Sequence, residues 1–268
     1  MYNGYLEVYP NDYELSTIYN NENIYDLLTN QYLIIKDSEN NIIDKLRWDG
    51  EKFVHLIRLK IKNFKPLTVK QECLFDLLAN EDIPIKLIFG CAGSGKSKCV
   101  MTAGLDFLNA GIFARFLIVR HNVSVGEKNG YLPGNKFQKI QAWLGFFEDN
   151  LNSQYTLEEM FSKQMIDVDS PEYMKGRDLK NSWIMVDESE DLTEDQFKMI
   201  GERVSENSII CFVGDYEQIT QDKYKKSSGI KRAIENLAGH KQVGIIVFDD
   251  LENDNVRSDA SKIFSYLY

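Results

Sequence analysis

The stretch GCAGSGKSKCV (Gly90–Val100) follows directly on the apolar run IKLIF (Ile85–Phe89). It fits the spacing G-x-x-x-x-G-K-[ST] through Gly90, Gly95, Lys96 and Ser97. Glycines let the chain curl so that the backbone N–H groups of Cys91, Ala92, Gly93, Ser94 and Gly95 point at one anion. The helix that follows adds the positive end of its dipole. In such a loop the lysine bridges the β- and γ-phosphates and the serine hydroxyl holds Mg²⁺. The bland alternative is a glycine turn with no ligand; an apolar strand before and an amphipathic helix after favour the phosphate loop.

Working outward, apolar runs recur at 115–120 (RFLIVR), 182–186 (SWIMV), 209–213 (IICFV) and 244–248 (GIIVF), separated by helical stretches such as Lys96–Asn109 and Thr193–Val204. Short buried runs alternating with helices imply a parallel sheet covered on both faces, an α/β P-loop NTPase (RecA-like) core. Residues 121–181 read as an insertion with turns of its own. Upstream, YLIIKD, IIDKLR and EKFVHLI (32–57) are separated by turn residues, Asp49-Gly50 among them, and predict a β-meander. The expected organisation is a small β-rich module at 1–64 and a P-loop domain at 65–268. The Asn- and Tyr-rich start keeps apolar clusters and reads as folded.

SWIMV runs into Asp187 and Glu188. At the end of a strand beside the phosphate loop, Asp187 would hold Mg²⁺ through water and Glu188 would orient or deprotonate the attacking water. Alone, the pair also reads as acidic charge opening a helix. After the next strand comes GDYEQ (214–218), where Gly214 permits a tight turn and Asp215 and Gln218 face the same crevice. A glutamine there can sense an intact γ-phosphate.

Composition narrows the partners. The formal net charge of −10 argues against a broad basic surface for duplex DNA, though it allows a narrow basic channel. The start MYNGYLEVYP lacks the basic and apolar regions of a signal peptide, and the longest apolar runs are far too short to span a membrane. Four cysteines without CxxC pairing read as thiols in a reducing cytosol, so a cytoplasmic protein is expected.

The ordered series NFKPLTVKQECLFDLL, GCAGSGKS, GEKNGYLPGN, MKGRDLKNSWIMVDESEDLTEDQFKMIGERV, FVGDYEQI, SSGI and DNVRSDASKIF resembles the PhoH family of superfamily 1 helicase-type P-loop ATPases, from about Phe64 to Phe264. The resemblance implies an ATPase using ATP and Mg²⁺. It assigns Gln71 to the adenine edge, with Phe64 or Pro66 packing nearby. Gly126, Glu127 and Gly130 fall in a loop beside the site or along a nucleic-acid path. Arg177 and Arg257 become candidate cations for the transition-state charge, Arg257 the favoured arginine finger and Arg177 equally readable as a structural ion pair. Longer members carry an N-terminal PIN nuclease, for which these 64 residues leave no room. The family commonly reads DEAQN where this chain reads DESED (187–191); the added charge of Glu190 and Asp191 would tighten the metal or hinder a nucleic-acid strand.

Superfamily 1 motors complete their site with a second RecA-like domain. None is legible after GDYEQ, so the expectation is a ring, most simply a hexamer, in which an arginine of one subunit reaches its neighbour's ATP. Three readings stay open: a hydrolase acting on RNA or single-stranded DNA through lysines such as Lys223, Lys225 and Lys226, an ATP-dependent switch or scaffold binding a protein, and a P-loop kinase.

Overall fold

The computed structural model describes residues 2–61, 64–120, 156–215, 229–250 and 253–256. Gly126, Glu127, Gly130, Gln218, Lys223, Lys225, Lys226 and Arg257 lie outside the described residues.

Strands β5 (Ile85–Gly90), β6 (Arg115–Val119), β7 (Ile166–Asp169), β8 (Ser182–Val186), β9 (Ile209–Gly214) and β10 (Val243–Phe248) form one sheet in the order β10-β5-β9-β8-β6-β7. Every pairing in it is parallel. Both faces are buried, which is why the strands read as unbroken apolar runs rather than alternating ones. Ile88, Phe116, Ile118, Met185 and Cys211 point to the face covered by helices α2 (Val69–Ala79) and α3 (Lys96–Asn109). Leu87, Phe89, Leu117, Ile184 and Phe212 point to the opposite face, under α5 (Glu194–Gly201) and α6 (Gly229–Leu237). Strand ends at one rim of such a sheet make a crevice for ligands, and the glycine loop and the acid pair both sit there.

Strand β7 and the short helix α4 (Leu157–Ser162) fall inside the segment expected to be an insertion. β7 pairs with β6 and closes that edge of the sheet. Its sequence, IDVD, alternates apolar and acidic residues, the pattern of an edge strand, so it lacks the apolar run that marked the others.

Lys86 interrupts β5 and is fully buried. Its ammonium donates to the carbonyls of Leu77, Asn80 (2.8 Å) and Ile83 (2.8 Å), closing the C-terminal end of α2, whose last carbonyls have no helical partners.

The N-terminal residues form a second sheet, β1 (Tyr5–Val8), β2 (Tyr32–Lys36), β3 (Ile42–Trp48) and β4 (Phe53–His55), in that order. β2, β3 and β4 are the antiparallel meander the sequence predicts. β1 was not anticipated; it joins β2 in parallel through helix α1 (Asp12–Tyr19), which opens on a capping box of Asn11 and Glu14.

This sheet is fastened to the larger one by polar contacts. Val247 of β10 donates to Asn3 O (2.9 Å), and Asn30 Nδ2 donates to the carbonyls of Lys241 and Val243 (both 2.9 Å), covering the β10 edge. Asp76 of α2, wholly buried, accepts from Arg47 Nε (2.9 Å), the Tyr32 hydroxyl (2.8 Å) and Ile57 N (2.7 Å). A buried carboxylate needs partners of this kind.

Candidate nucleotide site

The glycine loop leaves β5 at Gly90, whose φ of +122° lies outside what a side chain tolerates. A Cβ there would also stand 2.0 Å from Phe248 O on β10. The next residue ties the loop down: Cys91 N donates to that same carbonyl at 2.8 Å. Inside the loop the buried Ser94 hydroxyl donates to Cys91 O (3.0 Å), and Gly95 caps α3. Burial pushes the Cys91 thiol up to about 11, so it stays protonated and inert. All four cysteines are buried and free.

Lys96 lies folded against the loop, donating to Gly90 O and Cys91 O (both 2.7 Å) and the Ser94 hydroxyl (3.2 Å). Burial lowers its pKa, while Asp215 foremost among the nearby acids works against that fall. Ser97 Oγ donates to Asp187 Oδ1 at 3.1 Å, so the two expected Mg²⁺ residues already meet. Asp187 is placed by its backbone N–H, which donates to Val119 O (2.9 Å) at the end of neighbouring β6. Burial raises its pKa to about 6, against the pull of Arg120 and the Ser97 hydroxyl. Among the described residues no group of three His, Cys, Asp or Glu could enclose a metal. One hydroxyl and one carboxylate nevertheless suit Mg²⁺, which takes the rest of its shell from phosphate oxygens and water.

Glu188 occupies the left-handed region at φ 49°, ψ 44°, a costly conformation for a side-chain-bearing residue and one that clusters at functional sites. Arg120, the residue after β6, grips its carboxylate with both arms: Nε donates to Oε2 at 2.8 Å and Nη2 to Oε1. Arg120 Nη1 also stands 3.7 Å from Asp187 Oδ2. The sequence places Arg120 at the end of an apolar run but gives no sign of this role; only the pairing of β6 with β8 brings it to the acids.

Gln71 is buried and reaches the loop from α2. Its Nε2 donates to Ser94 O (2.8 Å), and its Oε1 accepts from Leu67 N (2.7 Å). In this geometry the amide braces the loop. Phe64 stacks on Phe75 (5.6 Å between centroids), with the Lys98 ammonium 5.5 Å from its ring.

Arg177 is not brought to the loop. It pairs with Asp169 and with Asp167 (3.6 Å) on β7. β7 lies four strands from β5, about 19 Å at the usual strand spacing. Within one chain this is a structural ion pair.

Two further features depend on the fold. Glu190, in the 3-10 turn Ser189–Asp191, faces the same cavity, and its Oε2 has no hydrogen-bond partner among the described residues. Gly214 makes room for it. A Cβ there would lie 2.3 Å from that oxygen and 2.9 Å from Ser189 Oγ, so close approach, and not the tight turn expected, is what calls for glycine. Secondly, the segment after β10 returns to the loop: Val256 N donates to Gly93 O (3.1 Å). Lys70 holds that segment by donating to Asp249 and Asp254 (both 2.7 Å).

Together these groups line a cavity of about 490 Å³ that includes Lys96, Ser97, Asp187, Glu188, Asp215 and Val256. The sequence profile described as PhoH-like protein matches residues 63–268. The chain belongs to this PhoH-like family. It is 27% identical over 275 residues to protein PhoH2 of Bacillus subtilis, covering 92% of this chain and 60% of that protein. It is 28% identical over 201 residues to protein PhoH2 of Mycolicibacterium smegmatis, covering 72% and 46%. The chain thus spans about half the length of the curated relatives it matches. Among solved structures, the helicase domain of Pyrococcus furiosus Hef aligns at a TM-score of 0.37 with 12% identity, over 68% of this chain and 39% of that one; so distant a likeness carries no argument. No helix among the described residues is long and apolar enough to cross a membrane.

Proposed function

We propose that this PhoH-like chain binds ATP with Mg²⁺ and hydrolyses it, as a homo-oligomeric ring acting on RNA or single-stranded DNA. One observation carries the hydrolase reading. The Ser97 hydroxyl and Asp187 carboxylate already meet at 3.1 Å, with Glu188 next in the chain and the glycine loop beside them. Mg²⁺ bound there would neutralise developing phosphate charge. The loop amides and Lys96 would hold the phosphates, and Glu188, oriented by Arg120, would accept the proton of the attacking water.

The ring rests on a gap in the inventory. Among the described residues no arginine lines the cavity, and a phosphoryl-transfer site commonly takes such a cation in cis or from a neighbouring subunit. On the ring reading Arg257 of the neighbouring subunit is the favoured source, since it follows the last strand of the sheet in the sequence.

The test is ATP hydrolysis with and without poly-U and single-stranded DNA, beside a Lys96→Ala control. Stimulation that fades with added salt supports action on a strand. A rate unmoved by every strand supports the switch reading instead, and phosphate transferred to an acceptor rather than freed would make the protein a kinase.

A further inference from the structure

Glu190 is a buried acid of the cavity whose chemistry the hydrolase reading leaves unused. It is only 8% exposed, and its Oε2 is unpartnered among the described residues. Its seat is built: Ser189 Oγ donates to Val213 O (2.9 Å), pinning the turn, and Gly214 leaves the space the carboxyl fills. The other acids are better provided for. Glu188 has the Arg120 fork, and Asp187 has Ser97 and the nearby guanidinium.

The charged groups facing Glu190 are Asp187 from the end of β8, Asp215 from the end of β9 and Lys96 from α3. Helix α6 packs on the same turn through its apolar side, with Ile230, Ala233 and Ile234 buried and Lys231 and Arg232 exposed. Lys96 spends its donors on the loop. Among the described residues an ionised Glu190 is therefore a buried charge without an ion-pair partner, and a polyphosphate entering the cavity adds further negative charge beside it. Burying an unpaired ion is unfavourable, and a proton removes that charge.

We propose that nucleotide binding at this site is coupled to uptake of one proton by Glu190, whose neutral carboxyl then donates a hydrogen bond toward the phosphates instead of repelling them. The proton comes from solvent, the carboxylate becomes a carboxylic acid, and no other bond changes. The inference rests on the nucleotide reading of the cavity and deepens it: the site would favour a triphosphate under mildly acid conditions. Burial, followed by the Asp187 and Asp215 carboxylates, already lifts the group to about 7 against the pull of the Glu190 and Asp215 backbone N–H groups. A phosphate beside it lifts it further.

The experiment is titration calorimetry of the full chain with the Mg²⁺ complex of a non-hydrolysable ATP analogue, at pH 7.5, in two buffers of different ionisation enthalpy. A group with a pKa near 7 is about one quarter protonated at that pH, so the wild type should take up roughly 0.7 proton per site. The dissociation constant should weaken by up to about tenfold per pH unit above neutrality. Glu190→Gln, which keeps the shape and a donor, should bind with almost no proton uptake and a nearly flat pH dependence. Equal proton counts in wild type and variant, or none in the wild type alone, overturn the proposal while leaving the nucleotide site intact. No binding by the wild type, or unaltered binding by Lys96→Ala, overturns the nucleotide reading itself.

Discussion

Replacing Arg120 by glutamine separates the chemistry of this site from its binding. The substitution removes two charge-assisted hydrogen bonds to Glu188 and the weaker approach to Asp187. The Arg120 and Glu188 side chains are 27% and 41% exposed, so solvent screens the pair, and its contribution to folding should stay below about 1 kcal/mol. The catalytic cost is larger. Glu188 sits on a left-handed backbone, and Arg120 holds its carboxylate with two hydrogen bonds, so without the fork that group is freer to swing. Misplacing a reacting group by about 1 Å costs on the order of 100-fold in rate. A coupled assay of phosphate release should therefore show kcat down about 30- to 100-fold, with the KM for ATP nearly unchanged because the loop contacts survive. Arg120→Lys should recover little, since an ammonium cannot grip both oxygens in a plane. A kcat that is unchanged or higher in Arg120→Gln would refute the positioning argument, and a rise would mean that Arg120 restrains Glu188.

Three other expectations follow from the same contacts. Lys86→Met strands the carbonyls of Leu77, Asn80 and Ile83, and urea unfolding should show a loss of roughly 3 kcal/mol, about 1 kcal/mol per carbonyl. Gln71→Ala removes the bonds to Ser94 O and Leu67 N; two buried hydrogen bonds of about 0.7 kcal/mol each predict nucleotide binding weakened about tenfold, read by calorimetry. Glu190 makes stability depend on pH. Its folded pKa, about 7, lies above the ordinary 4.5, so its stabilising contribution is fully present below pH 4.5 and lost as pH rises through 7. Urea midpoints of Glu190→Gln relative to wild type should therefore rise between pH 5 and pH 8; a constant difference contradicts the assignment.

What was legible in the sequence had local causes. Strands buried on both faces announce themselves as apolar runs, and β5, β6, β8, β9 and β10 all lie within about a residue of where those runs predict them. The glycine loop and the acid pair are fixed by spacing along the chain, so their place at strand ends could be read as well. The parts that escaped depend on neighbours distant in sequence. Arg120 meets Glu188 because β6 pairs with β8, the seat that Glu190 fills exists because β9 ends in a glycine, and Lys86 is tolerated because the end of α2 and the turn after it offer three carbonyls. β7 was hidden by its alternation, and β1 by its shortness within a stretch rich in Asn and Tyr. Arg177 had two readings from its motif position, and within one chain its contacts with Asp167 and Asp169 of β7 are those of the structural ion pair.

The most direct test of the hydrolase reading sets binding against turnover in a single pair of proteins. Wild type and Glu188→Gln are each mixed with labelled ATP and Mg²⁺, and bound nucleotide and free phosphate are followed together. The account predicts that both bind ATP, that the wild type releases ADP and phosphate in equal amounts, and that Glu188→Gln holds ATP with release at least about 100-fold slower. Turnover by Glu188→Gln at the wild-type rate, or a wild type that binds ATP and never frees phosphate, would contradict it.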